Sequence, residues 1–590
     1  MNATPTSVRS LALLFCIPWI TASFAQVTAS VSASTDKVAK VDALMSTFAE
    51  YGQFNGAVLV AEKGKVIYKK AFGMADREWD VPNTTDTKFR LASITKQFTA
   101  MLIMQLVAEG KLALDVPIAQ YLPDYPKANA GRITLHHLLS HSSGTPNYTD
   151  FPNYREMMVQ PHSTAELLRM FADSTLAFTP GERFAYSNSG YMVLGAIVER
   201  ITGMSYEQAL QERIFTPLGM ASSGVDNGRT VLMKRASGYD VSGSTVTNAY
   251  FIDMSTPFSA GAIYSTVEDL FLWDQALYTE KLLPKQYRDL MFQPHISTGG
   301  GSYGYGWGIG ELGEGNGKEK SRMVSHSGGI NGFNTLITRI PADSLLVVLL
   351  NNTSNAPLST MTLAINGILH DQPYDMPRKS LAKTISATME KDGIEKAVAQ
   401  FNALKSSKEQ YLDESEMNMA GYELLWAGKK QEAAAFLKLN VDVFPNSSNA
   451  YDSYGEALLA LGDSANAIAN YKRSIQLNPD NTNGIQVLEG LGIATDDLAI
   501  KIPLEKLQML TGAYVATKET SNRDREWKIV IDEKDGQLYG NDADYRYKMV
   551  PTGDNTFVNP EDGTTLVFDT TKKKAISFVI FGKVVFKKVK

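Results

Sequence analysis

The chain has 590 residues, of which 44% are hydrophobic and 20% are charged, and its formal net charge is −6 at pH 7. This length exceeds what one hydrophobic core supports, so about two to four domains are expected. The composition is that of a soluble globular protein, and the net negative charge excludes the basic surface that nucleic-acid binding requires.

The first 25 residues have the pattern of a secretory signal peptide. Arg9 precedes an apolar run that ends at Ile20, and small residues suit cleavage after Ala25. The run is shorter than the roughly 20 residues that span a bilayer. The one cysteine, Cys16, lies inside this segment. We therefore expect a periplasmic or secreted bacterial protein, with residues 1–25 removed and no transmembrane helix in the mature chain.

Two strand hairpins flank a long helical region. A helix pattern at 36–51 is followed by two short apolar runs, 57–60 and 66–68, on either side of a turn at Lys63-Gly64. A second hairpin turns around 341–343, and the chain between the hairpins has the pattern of helices and long loops. These features predict an α/β domain over 36–372, with an antiparallel sheet built from both ends and flanked by helices.

A 34-residue repeat follows a proline-containing linker at 373–377. Small residues and a proline recur at this interval: Gly421, Gly428, Ala433 and Pro445 return as Gly455, Gly462, Ala467 and Pro479. The period and the residue types are typical of the helix–turn–helix unit of tetratricopeptide repeats. We expect α-helical repeats of this kind over 381–500, packed on a neighbouring domain because so few units need capping.

The last part of the chain contains short strand patterns separated by Gly, Asp and Asn turns. The strands are predicted at 527–531, 537–540, 564–568 and 576–580. They indicate a small all-β domain, a barrel or a sandwich, over 504–590.

A serine and a lysine at the start of an apolar helix pattern are the first candidate reactive pair. Ser93 and Lys96 lie three residues apart, on one helical face. A serine hydroxyl needs an adjacent base, and lysine can be that base only if its pKa falls from about 10.4. The same spacing occurs at Ser34–Lys37 and Ser380–Lys383, so the pair alone indicates only a helix start.

Two further motifs give this pair its context. Tyr186 and Asn188 lie two residues apart in an extended loop, so a phenol and an amide can share one cavity. His326-Ser327-Gly328 precedes the second hairpin, and its glycine allows the backbone to approach a ligand closely.

At these residues the chain resembles the serine β-lactamase and penicillin-binding-protein superfamily, most closely its class C-like hydrolase branch. That branch carries Ser-x-x-Lys, Tyr-x-Asn and a Lys/His-Thr/Ser-Gly triplet in this order. Four other segments of the chain also resemble this branch: 114–123, 133–144, 260–266 and 303–308. The resemblance covers roughly residues 36–372 and implies a β-lactamase-like fold there.

The resemblance implies a role for each side chain of the first two motifs. Ser93 would be the acylated nucleophile and Lys96 its proton partner. Tyr186 would act as general base and acid, its phenolate stabilised by Lys96. Asn188 would hydrogen-bond Lys96 or the substrate amide.

The third motif would bind the substrate. His326 and Ser327 would border the leaving group or a carboxylate, with Gly328 completing the triplet. The backbone N–H groups of Ser93 and Gly329 would form the oxyanion hole. Efficient class C β-lactamases usually have lysine in place of His326. In this respect the chain resembles certain D-alanyl-D-alanine carboxypeptidases, esterases and D-aminopeptidases of the branch, which have histidine there.

Three other motifs match known functional patterns but lack the context that those patterns require. Gly300–Gly304 matches the Gly-x-Ser-x-Gly elbow of α/β-hydrolases but lacks the strand and helix around it. Gly308–Gly313 matches a dinucleotide fingerprint but opens no helix. His137 and His141 lie one helical turn apart without the glutamate of a metallohydrolase helix, which favours structural histidines. No metal or organic cofactor is implied.

The sequence therefore predicts a secreted or periplasmic serine hydrolase that cleaves an amide or ester through an acyl-enzyme on Ser93. A true β-lactamase or DD-peptidase is one alternative. The other is a non-catalytic binding protein that uses its repeat and β domains. The expected partners are a small-molecule or peptide substrate and, through the helical repeats, a protein or the cell wall, with no nucleic acid.

Overall fold

The computed structural model describes residues 21–589, except 243–244, 313–320, 496–497, 499, 522–526, 543–544, 561–562 and 572–575. Most of the predicted signal peptide, residues 1–20, therefore lies outside the described residues. Within the described part of the chain, no helix combines the length and apolar character that crossing a bilayer requires.

An eight-stranded antiparallel sheet forms the centre of the first part of the chain. Its strands are β1 (Gly56–Glu62), β2 (Lys65–Phe72), β3 (Ile296–Ser297), β4 (Ser302–Tyr303), β5 (Gly308–Leu312), β6 (Ser321–Ile330), β7 (Phe333–Ile340) and β8 (Leu345–Asn351). The order across the sheet is β3-β4-β5-β6-β7-β8-β1-β2. β1 pairs with β8 along its whole length, from Gly56 opposite Asn351 to Glu62 opposite Leu345. The predicted sheet built from two distant segments is confirmed.

Helices cover both faces of this sheet. The longer ones are α1 (Thr21–Glu50), α2 (Thr95–Ala108), α3 (Asn188–Thr202), α4 (Val267–Ala276) and α5 (Leu358–Leu369). Alternate residues of β1 face opposite sides: Leu59 packs in the core that contains α2 to α4, whereas Val58 packs in the core that contains α1 and α5. α1 begins earlier than the predicted start at residue 36.

Shorter helices and strands lie in the sequence between β2 and β3. The helices include Lys127–Ala130, Leu135–Leu139, Tyr154–Met157, Thr164–Arg169, Tyr206–Leu210, Phe258–Gly261 and Lys285–Met291. The strands are Met74–Asp76, Val81–Pro82, Phe89–Arg90, Gly224–Val225, Tyr239–Ser242, Thr245–Asn248 and Ile263–Ser265. The helices agree with the predicted region of helices and long loops, whereas these short strands were not predicted.

A run of helices follows the first domain. They are α6 (Leu381–Asp392), α7 (Ile394–Leu404), α8 (Glu414–Trp426), α9 (Lys430–Val443), α10 (Ser448–Leu461), α11 (Ser464–Leu477) and α12 (Thr482–Gly490). α8 and α10 begin 34 residues apart, as do α9 and α11. A Cβ on Gly421 would lie 2.4 Å from Leu437, and one on Gly455 would lie 3.0 Å from Tyr471, so both glycines sit where paired helices touch.

The C-terminal segment is a closed antiparallel barrel of eight strands. They are β9 (Gly512–Ala516), β10 (Lys528–Lys534), β11 (Gln537–Asp542), β12 (Tyr545–Gly553), β13 (Thr556–Val558), β14 (Thr565–Asp569), β15 (Ser577–Ile580) and β16 (Val584–Lys588). The sequence predicts either a barrel or a sandwich for this segment. The sheet closes on itself, so the domain is a barrel. Lys548 forms an ion pair with Asp480 at 2.6 Å, which joins the barrel to the helices.

Candidate active site

Ser93 lies on a tight turn that leads into the buried helix α2. The turn is the 3-10 helix Ala92–Ile94, and the φ of Ala92 is 50°, a region that residues with a Cβ rarely adopt. Leu91 holds the turn in place, because its N–H donates to the Ile263 carbonyl at 2.8 Å and its carbonyl accepts from the Thr335 hydroxyl at 2.9 Å. Strained backbone of this kind is concentrated at functional sites. Ser93 itself remains partly exposed.

Lys96 is completely buried one helical turn from Ser93. Its Nζ lies 3.0 Å from Ser93 Oγ, 2.8 Å from Asn188 Oδ1 and 2.9 Å from the Ala260 carbonyl oxygen. The last two oxygens can only accept, so they take two N–H groups of the amine. Burial lowers the pKa of Lys96 well below its usual value. A neutral amine has only two N–H groups, and its lone pair is then directed to the Ser93 hydroxyl.

Asn188 is oriented by a second asparagine, Asn147. The Asn147 Oδ1 accepts from the backbone N–H of Asn188 at 3.0 Å and from its Nδ2 at 3.2 Å. The Asn188 Oδ1 is thereby left to face Lys96. Ser187 caps α3 by accepting from the N–H of Gly190, which fixes Asn188 as the first residue of the helix.

The Tyr186 phenol contacts both residues of the reactive pair. Lys96 Nζ lies 4.9 Å from its ring centroid, and the Ser93 side chain is near enough to the phenol to affect its pKa. The buried His141 ring packs against it with centroids 4.2 Å apart. Burial raises the pKa of Tyr186, although the neighbouring Ser93 opposes the shift. The resting phenol is therefore protonated, in contrast to the phenolate that the family resemblance implies.

The third motif lies on β6, directly beside the Ser93 turn. A Cβ on Gly328 would lie 2.1 Å from the Leu91 carbonyl oxygen and 2.4 Å from Thr335 Oγ1. A Cβ on Gly329 would meet nothing within 4 Å. Gly328 thus permits the close approach of strand and turn, and Gly329 faces open space.

One edge of β6 is open beside the site. β5 pairs with β6 only at Ser321 to Ser325, while β7 pairs with the other edge as far as Ile330. Among the described strands, none pairs with the β5-side edge of β6 from His326 onward. Ser327 is exposed on this stretch. The site therefore combines a reactive serine with an unpaired strand edge on which an extended ligand can lie.

His326 is buried and uncharged near neutral pH. Burial lowers its pKa to about 3, and a hydrogen bond to the Ser327 backbone opposes the shift. A cation that could anchor a carboxylate is thus absent from this side chain.

Gly328→Ala is expected to destabilise the protein by about 1–3 kcal/mol, because the new methyl group overlaps Leu91 and Thr335. Thermal unfolding monitored by circular dichroism measures the effect. Gly329→Ala is the matched control, since its methyl group points into open space and leaves the melting temperature close to that of the wild type. Equal melting temperatures for the two variants would contradict the packing described here.

The structure brings all the predicted site residues together and adds three that sequence reasoning missed. Asn147 orients Asn188, Tyr303 contacts His326, and His141 packs against Tyr186. Tyr303 and His141 lie in stretches that carry the family resemblance, which was the available signal. Asn147 lies just beyond such a stretch.

The Gly-x-Ser-x-Gly match at 300–304 and the pair His137 and His141 do not form a second active site or a metal site. Ser302 lies in the two-residue strand β4 and not at a strand–helix elbow. His137 Nδ1 accepts from the Thr134 N–H in a helix cap, and His141 Nδ1 accepts from the Ser187 N–H. In the described ranges, no group of three or more potential metal ligands is found.

The fold and the site together define a class of protein. An antiparallel sheet between helices, with a serine and a lysine one turn apart on a buried helix, is the arrangement of β-lactamase-type serine hydrolases. A family model described as Beta-lactamase matches residues 41–368. The chain belongs to this family.

Individual relatives agree with this assignment. The chain is 34% identical over 361 residues to a penicillin-binding protein of Bacillus subtilis, covering 58% of this chain and 78% of the relative. It is 29% identical over 374 residues to esterase EstB of Burkholderia gladioli, covering 56% of this chain and 95% of the relative. The solved structure of an octameric penicillin-binding protein homologue from Pyrococcus abyssi covers 93% of this chain and all of that one, with a TM-score of 0.51 and 21% identity. That last likeness concerns the fold alone.

Proposed function

We propose that the protein hydrolyses an ester or an amide through a covalent acyl-enzyme on Ser93. The observation that carries the proposal is the environment of Lys96, whose two acceptor partners leave its lone pair to Ser93 Oγ at 3.0 Å. A nucleophile and a base within hydrogen-bond reach, with the base oriented by further groups, are the requirements of nucleophilic catalysis.

Acylation begins when Ser93 Oγ attacks the substrate carbonyl carbon and its proton passes to Lys96 Nζ. The carbonyl oxygen becomes an oxyanion, for which the N–H groups of Ser93 and Gly329 are the proposed donors. One such donor contributes about 10²- to 10³-fold to the rate. The bond to the leaving group then breaks, and the leaving group takes the proton of the Tyr186 hydroxyl. Lys96 returns a proton to Tyr186, which leaves both groups neutral again.

Deacylation reverses the roles. A water molecule attacks the acyl carbon while its proton passes to the neutral amine of Lys96, and the bond from the carbonyl to Ser93 Oγ breaks as Lys96 returns that proton to Ser93. Burial of Lys96 lowers its pKa, which favours the neutral amine that can accept a proton.

Esters are the substrate class that we place first, ahead of D-aminoacyl amides and D-alanyl-D-alanine peptides. The uncharged His326 supports the placement of esters ahead of D-alanyl-D-alanine peptides, since those peptides carry a carboxylate. The similarity to an esterase over 95% of its length supports it as well.

Treatment with a fluorophosphonate, followed by peptide mass spectrometry, tests the proposal. The adduct is expected on the peptide that contains Ser93. The peptide that contains Ser380 is the internal control, because Ser380 and Lys383 repeat the spacing at a helix cap that lacks the other site residues. An adduct elsewhere, or none, would contradict the proposal.

Further parts of the proposal concern the rest of the chain. We propose that residues 1–25 are a signal peptide for secretion and that the domains span 36–372, 381–500 and 504–590. The 34-residue offsets between helices, together with the small residues at their crossings, support a tetratricopeptide assignment for the middle segment. A protein or cell-wall ligand for that segment is part of the same proposal.

A further inference from the structure

His141 is a buried histidine that the acyl-enzyme mechanism does not use. Its exposed fraction is 1%, and its φ of 57° lies in a region that residues with a Cβ rarely adopt. Its ring packs against the rings of Tyr186 and Tyr303, with centroid distances of 4.2 Å and 4.8 Å. A strained backbone of this kind persists only where the surrounding structure holds it in place.

His141 bonds the main chain on both sides of Tyr186. The N–H of Ala185 donates to the His141 carbonyl oxygen at 2.9 Å, and the N–H of Ser187 donates to His141 Nδ1 at 3.1 Å. The residues before and after the phenol are thus held by one histidine, whose ring also packs on the phenol ring itself. Side chains on loops are positioned less accurately than those on helices or strands, so Tyr186 depends on contacts of this kind.

The hydrogen bond from Ser187 also determines the state of the His141 ring. A backbone N–H can only donate, so Nδ1 carries a lone pair and the neutral imidazole has its proton on Nε2. Burial lowers the pKa of His141 well below its usual value, in agreement with a neutral ring. Within the described residues, the buried Nε2 has no hydrogen-bond partner.

Histidine combines two features that this position uses. Phenylalanine would keep a ring against Tyr186 but leave the Ser187 N–H unpaired, whereas asparagine would keep an acceptor for that N–H but offer no ring. The unpaired Nε2–H lowers stability, because a buried donor without an acceptor has lost its hydration. Stability alone therefore does not explain the histidine.

We propose that His141 is a positioning residue for the acid step of catalysis: it holds the loop Ala185–Ser187 so that the Tyr186 hydroxyl meets the leaving-group atom. This inference rests on the proposed acyl-enzyme function and adds a residue to it. When the bond from the carbonyl carbon to the leaving atom breaks, its electron pair passes to that atom, which takes the proton of Tyr186. General acid catalysis contributes about 10²- to 10⁴-fold to a rate. A displacement of the phenol by about 1 Å is enough to lose about 10²-fold.

The need for this proton depends on the leaving group. 4-Nitrophenolate is stable as an anion and departs without a proton, whereas ethoxide is strongly basic and departs only as ethanol. A misplaced phenol should therefore slow the hydrolysis of ethyl butyrate and spare that of 4-nitrophenyl butyrate, which has the same acyl group. A general loss of structure would instead lower both rates by a similar factor.

Kinetics of His141→Asn with these two esters test the proposal. Asparagine tolerates a positive φ, and its Oδ1 can accept from the Ser187 N–H as Nδ1 does, so the variant loses mainly the ring. We expect kcat/KM for ethyl butyrate to fall about 100-fold and that for 4-nitrophenyl butyrate to fall less than about threefold. His137→Asn is the matched control, because His137 Nδ1 also accepts from a backbone N–H, that of Thr134, and both values should equal those of the wild type.

A double variant shows whether His141 acts through Tyr186. Tyr186→Phe should give the same selective loss for ethyl butyrate. Adding His141→Asn to Tyr186→Phe should lower neither value further, because residues that act through one group have non-additive effects. Additive losses, or similar losses for the two esters in a folded His141→Asn variant, would overturn the proposal.

Hydrogen exchange decides the case in which His141→Asn does not fold, as judged by circular dichroism. In the wild type, the amide protons of Ala185 and Ser187 should exchange slowly, like those within the buried helix α2. Fast exchange at either amide would show that His141 does not hold the loop. Failure of the wild type to hydrolyse either ester, together with no adduct on Ser93, would instead reject the acyl-enzyme function and this inference with it.

Discussion

Ser93→Ala and Lys96→Met are each expected to lower kcat/KM for an ester to the same residual level, and the double variant to fall no further. The reason is that the two side chains act as one unit. Without the Lys96 lone pair, the Ser93 hydroxyl at 3.0 Å keeps its proton, and without the hydroxyl the amine has no proton to take. Residues that act as a unit give non-additive losses, and the expected loss is about 10⁴- to 10⁶-fold for each variant.

Steady-state kinetics with phenyl butyrate measure these losses. Lys383→Met is the control, since Lys383 follows Ser380 at the same spacing on α6, and its kcat/KM should match that of the wild type. Additive losses, or a Lys96→Met variant with more than about a hundredth of the wild-type kcat/KM, would show that another group accepts the proton. Tyr186 would then be the candidate base.

The large sheet was predictable where its strands carry their own pattern. β1 and β2 carry apolar runs on either side of Lys63 and Gly64. Both of these residues adopt the positive φ that a two-residue hairpin turn requires. β3 and β4 have only two residues each and lie in a stretch rich in Gly and Ser. Their structure depends on pairing with the strands beside them, so no local pattern indicates them.

The barrel shows a similar limit. Four of its strands carry apolar patterns bounded by turn residues, whereas β12 contains Pro551, which argues against a strand on sequence alone. The structure places Pro551 at an irregularity in the pairing of β12 with β13. This local irregularity in the strand pairing accommodates the proline, which is why the sequence pattern does not indicate the strand.

The reactive residues of the site were predictable because they lie in three compact motifs. Their partners were not, because each acts through one contact made in the folded chain. The Ala260 carbonyl reaches Lys96 across 164 positions, and Asn147 reaches Asn188 across 41. The neutral state of His326 depends on burial, which is not visible in the triplet itself.

Burial of Lys96 predicts a stability that rises with pH. Since burial lowers its pKa in the folded state from 10.5, the unfolded chain binds one more proton than the folded chain between the folded-state pKa and about pH 10.5. The free energy of unfolding then increases by about 1.4 kcal/mol per pH unit in this window. Lys96→Met removes the titrating group, so the stability of the wild type should rise relative to that of this variant as the pH increases through this window.

Urea unfolding at pH 7, 8 and 9, followed through the fluorescence of the buried Trp273 and Trp307, measures this difference. Lys383→Met, which replaces a lysine that is not fully buried, should run parallel to the wild type. Parallel curves for Lys96→Met as well would mean that Lys96 is protonated in the folded protein and cannot accept the proton of Ser93. Loss of stability near neutral pH is thus the direct physical consequence of keeping a lysine neutral, and the same burial makes its lone pair available for catalysis.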